Sequence, residues 1–328
     1  MTRLTSPLTG VAALLALGLT ALAANAAGPS RTFVSATGTD SGTCTRATPC
    51  RTLAFAHGVT ASGGEIAILD TAGYGSLTIT KSISIVNPGG VEAGILASAG
   101  GDALTIAAAG SDVISLRGLT IEGAGSGANG IVLTTGGKLT IVDSVVRGFT
   151  ANGINIAPSS GATTFFIGNT LVSDNGSIGI RIAPPLGIAT ASGSMNHVAA
   201  NNNGANGIHV SGALTFGAAM KVTITNSVAT GNTSVGILCE SADTYAATRV
   251  VVTNSSVSGN GYGVYTGGST STAPAFLWIS SSVASSNANY GLYNAIGSSG
   301  HMFTFGNNVV VGNTSGPSFG PIDSQGAL

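Results

Sequence analysis

The phrase ANGIVL at residues 128–133 returns six more times, as ANGINI, SIGIRI, ANGIHV, SVGILC, GYGVYT and NYGLYN. Aligned on its glycine, it places Gly130, Gly153, Gly179, Gly207, Gly236, Gly263 and Gly291 at intervals of 23, 26, 28, 29, 27 and 28 residues. A period of this size defines a solenoid, a propeller or an array. An Asn-Gly step ordinarily signals a hairpin, but hairpin repeats would return sooner. Each period holds up to three short β-prone runs, such as KVTIT, SVAT and GILC from residue 221 on, broken by Gly, Ser and Asn. Alternating runs with such breaks are strands joined by tight bends. No helical period accompanies them, and no propeller-blade Trp-Asp ending occurs.

A second pattern fixes how the periods stack. Asn175, Asn202, Asn232, Asn260, Asn287 and Asn313 recur once per period, and an upstream column runs Asp143, Asn169, Asn196, Asn226, Asn254, Ser281 and Asn307. If one period is one coil, equivalent residues lie about 4.8 Å apart along the axis. Each side-chain amide can then donate to one neighbour and accept from the other, satisfying polar groups at an inward bend. The glycines serve the same bend, where a Cβ would obstruct the backbone.

Composition narrows the function classes. Charged residues are 7% of 328, glycine numbers 50 and the formal net charge is −1. Such a chain offers no basic face to nucleic acid, and its Ile and Val content excludes disorder. Residues 1–26 read as a secretory signal: Arg3, the apolar run GVAALLALGLTALAA, and the small-x-small site Ala24-Asn25-Ala26. No later apolar run is long enough to span a bilayer. In an exported protein the nearby Cys44 and Cys50 are expected to pair, and Cys239 is expected to be a buried apolar side chain.

The pattern N-x-V-x-x-x-N-x-x-x-G-I over residues 112–316 resembles the repeat of right-handed parallel β-helix proteins, the pectate-lyase-like superfamily. The N-terminal stretch from TFVSATGTDSGTC to SISI resembles the opening of secreted bacterial β-helix proteins. The resemblance implies an all-β, single-stranded parallel β-helix of about ten coils. It carries no chemistry by itself, because the fold hosts lyases, hydrolases, tailspikes and adhesins. The expected organisation is a signal peptide at 1–26, an N-terminal cap at 27–64, the β-helix at 65–316 and a tail at 317–328. Within the cap, Thr48-Pro49 reads as the start of a short amphipathic helix that Gly63-Gly64 ends. EIAIL, SLTI and SISIV are expected to form the first coil; GILAS, ALTIA and VISL the next. No membrane barrel follows the repeats, which disfavours a self-transporting protein.

Outward positions are where function is sought. If Ile154 and Ile156 point inward, the outward column runs Val132, Asn155, Arg181, His209, Leu238, Tyr265, Tyr293. The residue before each glycine adds Val235, Tyr262 and Tyr290. Tyr262, Tyr265, Tyr290 and Tyr293 thus fall on two adjacent coils as an aromatic patch, and Phe276 and Trp278 are also outward. Sugar faces stack on such rings and phenol hydroxyls bond sugar hydroxyls. The expected function is therefore polysaccharide binding without catalysis, in the periplasm, at the cell surface or outside the cell. The patch also has a purely structural reading, as a stack that strengthens the sheet.

The catalytic alternative, a polysaccharide lyase or hydrolase, rests on Arg117, Glu122, Asp143, Arg147, Asp174 and Arg181 on neighbouring coils. Glu122 and Asp174, two coils apart, approach the spacing of an inverting glycosidase pair. Arg147 or Arg181 could serve a β-elimination. The simpler reading is a set of ion pairs between coils. The polygalacturonase motif set and the pectate-lyase Arg-x-Pro-x-x-Arg motif are absent, so no catalytic residue carries over from those relatives. No cofactor motif occurs. His57, His197, His209 and His301 lie in separate segments without metal-ligand spacing, and His209 reads as a lone, solvent-facing side chain.

Overall fold

Runs of alternating Val, Ile and Thr can bury one side of a strand while the other faces solvent. Most of the thirty strands follow that solution in a computed structural model that describes residue 2 and residues 28–242, 245–268 and 274–325. The expected signal segment lies, apart from residue 2, outside the described residues. Every named strand pairing is parallel, and strands are joined into a ten-stranded and a twenty-stranded sheet. The ten-stranded sheet holds all seven glycine-anchored phrases in register, for example Ile154 beside Ile180, Ile180 beside Ile208 and Ile208 beside Ile237. The molecule is therefore a parallel β-helix, roughly 45 Å long from the strand spacing. Its core is a set of aliphatic columns; Ile154, Ile156, Ile180, Ile182, Ile208 and Val210 are fully buried. Cys239 continues one of these columns and is buried and unpaired.

The twenty-stranded sheet is creased into two arms. Asp143, Asn169, His197, Asn226, Asn254 and Ser281 sit at the crease with φ between 46° and 54°. Asn and Asp tolerate this left-handed backbone better than other side chains, which accounts for their recurrence. The upstream column is thus a row of bends, and on the third of these coils its member is His197, one residue after the expected Asn196. Nor does the row line an inward bend: it is exposed, with Asn169 donating to Asp143 over 2.8 Å and Asn226 to Asn196 over 2.9 Å. Inside the crease lies a hydroxyl row that spacing alone did not reveal. Ser227 donates to the Thr225 carbonyl over 2.7 Å and accepts from the Val198 amide over 3.1 Å; Ser255 repeats the arrangement.

The inward ladder is the other asparagine column, with one change of register. Its members are Asn175, Asn203, Asn232, Asn260, Asn287 and Asn313, each Nδ2 donating to the next Oδ1 over 2.8–3.1 Å. Asn203 replaces the expected Asn202, which is exposed and left-handed with φ 55°.

The N-terminal end is closed by helix α1, Leu53–Val59, which buries Leu53, Ala56 and His57 against the first strands. Its N-cap is Thr52, whose hydroxyl accepts from the Phe55 amide, rather than Thr48, which bonds Thr45 instead. The helix ends at Thr60, before Gly63. Cys44 and Cys50 form a disulfide in the loop that leads into the helix. SISIV opens the second coil rather than closing the first, because Ile83–Val86 pairs with Gly64–Ile68; VISL likewise opens the third. At the other end Gly316–Phe319 and Ile322–Ser324 add a last strand to each sheet, so residues 317–324 of the segment expected as a tail are built into the helix.

Candidate functional site

The outer face of the ten-stranded sheet collects the outward side chains into one axial column. Register places Asn155 beside Arg181, Arg181 beside His209, His209 beside Leu238, Leu238 beside Tyr265, Tyr265 beside Tyr293 and Tyr293 beside Phe319. Strand alternation produces this order directly, since the flanking Ile, Val and Leu residues are fixed in the core. The column is polar at one end and aromatic at the other.

At the polar end a half-buried cluster forms around Glu240. Its carboxylate lies 2.9 Å from Nε2 of His209 and also accepts from the Ser211 hydroxyl. Burial pushes the Glu240 carboxyl up. The bond and charge of His209, the Ser211 bond and the nearby Arg181 charge outweigh that, and hold it below the usual carboxylate range. Arg181 donates to Oδ1 of Asn155 over 3.1 Å and to the Ala183 carbonyl over 3.4 Å. Burial lowers its pKa, opposed by the charge of Glu240. Nδ1 of His209 is buried and has no hydrogen-bond partner among the described residues. His209 is therefore neither lone nor solvent-facing: its side chain is 13% exposed and is paired. Sequence reasoning missed Glu240. The signal was present, because Glu240 follows Leu238 by two and so shares its outward parity.

At the aromatic end the four tyrosines meet as ring contacts. Centroids lie 5.7 Å apart for Tyr262–Tyr265, 5.0 Å for Tyr262–Tyr293, 4.7 Å for Tyr265–Tyr293 and 5.8 Å for Tyr290–Tyr293. Phe319, from the segment expected as a tail, completes the group at 5.2 Å from Tyr290 and 5.1 Å from Tyr293. Burial raises the Tyr265 phenol above its usual value, with the neighbouring phenols and Glu240 adding to the effect. Strand register joins the two ends: Leu238 lies beside His209 on one side and beside Tyr265 on the other.

The acidic and basic residues of the catalytic alternative are distributed differently. Arg147 bonds Glu122 over 2.5 Å and Arg117 bonds Asp143 over 3.1 Å, both as exposed pairs between adjacent coils. Asp174 is exposed at a left-handed bend. Arg181 lies on the other sheet, beside His209 and near Glu240. Among the described residues no three His, Cys, Asp or Glu side chains gather as a metal site, and no helix is long and apolar enough to cross a membrane.

Comparison with known proteins agrees with this geometry at the level of fold. The family model for the right-handed β-helix region matches residues 98–248. No curated protein sequence matches the chain. Among solved structures, the pectate lyase Pel9A is 15% identical with a TM-score of 0.57, over 90% of this chain and 80% of that one. The A-module of the mannuronan C-5 epimerase AlgE4 from Azotobacter vinelandii is 17% identical with a TM-score of 0.49, over 81% and 91% of the two chains. The chain is a right-handed parallel β-helix of the pectate-lyase-like fold. That fold is shared with the pectate lyase.

Proposed function

We propose that the protein is exported and binds polysaccharide, without cleaving it, along the outer face of the ten-stranded sheet. The observation that carries this reading is the continuity of the half-buried Asn155, Arg181, His209 and Glu240 row with the rings of Tyr262, Tyr265, Tyr290, Tyr293 and Phe319. Rings supply apolar surface to sugar faces, and the polar row supplies directed hydrogen bonds. A rigid column with an axial spacing of about 4.8 Å suits an extended polymer better than a compact ligand. The disulfide and the signal-like N-terminus support export.

One observation favours a catalytic reading of the same face. Arg181, His209 and Glu240 supply a cation, an imidazole and a carboxylate to one point of it. An acidic sugar could there be neutralised by Arg181 and deprotonated by His209. A single experiment separates the two. Residues 27–328 are mixed with a panel of plant and bacterial polysaccharides and followed by size-exclusion chromatography with ultraviolet and refractive-index detection. Binding moves the protein to the polymer's elution volume. The double change Tyr265→Ala and Tyr293→Ala should then weaken binding at least about tenfold, as expected for central aromatic contacts. Unchanged binding in that variant overturns the assignment of the patch. A polymer shifted to smaller sizes overturns the non-catalytic reading and makes His209→Ala the next variant.

A further inference from the structure

The first arm of the twenty-stranded sheet carries a different surface. Its outward residues in one column are Lys138, Thr164, Ser192, Lys221, Arg249, Phe276 and His301, paired in register except from Ser192 to Lys221, where the Ser192 hydroxyl accepts from the Lys221 amide over 3.0 Å. A parallel column holds Val251, Trp278 and Phe303. From the strand Val113–Arg117 to the strand Gly300–Thr304 no strand position of this arm is Asp or Glu, and the one acid on the strand that follows, Asp323, lies beside Phe303, itself three coils from Lys221 and two from Arg249. The near-zero net charge of the chain therefore conceals a local excess of cations. Lys138, Lys221 and Arg249 are exposed, and among the described residues none is in an ion pair.

Arg249 is also held in place. Its guanidinium lies over the Phe276 ring, 5.1 Å from the centroid. Phe276 in turn packs on His301 at 5.1 Å and on Trp278 at 5.7 Å, and Trp278 on Phe303 at 5.2 Å, with ring planes within 20° of one another. A guanidinium stacked on a ring keeps its N–H fork free, and its rotamers are already restricted. It is set for a carboxylate or sulfate, with Lys221 one coil away as a second charge.

We propose that this arm is a second binding site, independent of the tyrosine face, for an anionic polysaccharide. Arg249 and Lys221 take the anionic groups, and the Phe276, Trp278 and Phe303 rings take the sugar body. Charge complementarity selects an anionic partner. The small number of cations, one per coil at most along the column, suits a polymer of sparse charge better than a nucleic acid, whose phosphates call for denser neutralisation. With sites on two faces, one molecule could join two chains.

The protein provides its own probe, because Trp278 is the only tryptophan. The full protein is titrated with carboxymethylcellulose, with uncharged hydroxyethylcellulose and with a single-stranded oligonucleotide, and tryptophan emission is followed. The expected result is an emission change with carboxymethylcellulose alone, weakened by salt. Arg249→Ala and, separately, Lys221→Ala should each weaken it about tenfold; these are exposed positions, and either variant suffices if the other folds poorly. The Tyr265→Ala, Tyr293→Ala variant should retain the response, so failure of the tyrosine reading leaves this one standing, and the reverse. No emission change, an equal response to the uncharged polymer, or a preference for the oligonucleotide overturns the proposal.

Discussion

At the scale of single residues, the ladder shows what repeat spacing can and cannot specify. Residues 201–203 are all asparagine, and each satisfies the period. Only backbone geometry separates them: Asn202 is left-handed and exposed, and Asn203 turns inward. Oδ1 of Asn203 accepts from the Asn175 amide side chain, and its Nδ2 donates to Asn232. Asn203→Ala strands these buried groups and should cost about 3 kcal/mol in chemical denaturation. Asn202→Gly should stay within about 0.5 kcal/mol, because glycine accepts the left-handed backbone. Equal losses would mean the ladder runs through Asn202. Glu240 adds a pH signature. Its folded pKa is depressed, so its stabilisation is present above the unfolded value and is lost as pH falls through the folded one. Wild-type protein should exceed Glu240→Gln in stability at pH 7, with the gap closing below about pH 4. A gap that is constant down to acid pH would show that the carboxylate charge contributes nothing.

At the scale of elements, strands and glycine bends were legible because each repeats with a fixed reason. At Gly207 an added Cβ would lie 2.7 Å from the Asn232 side-chain nitrogen and 2.7 Å from the Gly236 carbonyl. Two coils would have to part to admit it. Gly207→Ala should therefore cost about 2 kcal/mol. Gly58 in α1 has open space around its Cβ direction, so Gly58→Ala should gain about 0.5 kcal/mol from helix propensity. Thermal unfolding of both variants checks the contrast, and a neutral Gly207→Ala would remove the packing argument for the glycine column. What does not repeat was less legible. The start of α1 fell to Thr52 rather than Thr48 because two threonines offered the same capping chemistry; Asp40 accepts from the amide and hydroxyl of Thr52, while Thr48 is bonded to Thr45. The Glu240 cluster escaped for a related reason. Parity marks Glu240 as outward, but the cluster joins side chains from three coils, and their meeting is set by register between periods rather than by spacing within one.

At the scale of the whole molecule, the two ends of the rod differ, and stability should follow that difference. Each coil contacts its neighbours alone, so stability is close to a sum of local terms and can fray from an unprotected end. The first coils are closed by α1 and the Cys44–Cys50 loop. Among the described residues the last strands pair on one side: Val309–Val311 with Val283–Ser285, Gly316–Phe319 with Tyr290–Asn294, and Ile322–Ser324 with Gly300–Thr304. Val309 and Val311 remain 52% and 56% exposed there. Hydrogen exchange followed by mass spectrometry should therefore show residues 309–324 exchanging first and the central strands Thr248–Thr253 and Ser256–Ser258 last. Reduction of the disulfide should speed exchange over residues 31–59 and leave residues 309–324 unchanged, since the two ends share no contacts. The aromatic faces both lie in the coils next to these last strands. A polysaccharide bound to the tyrosines would hold Tyr293 and Phe319 together and so slow exchange in the last strands above all. Uniform protection along the rod, with or without polymer, would show that the molecule unfolds as one unit and that its ends are equally closed.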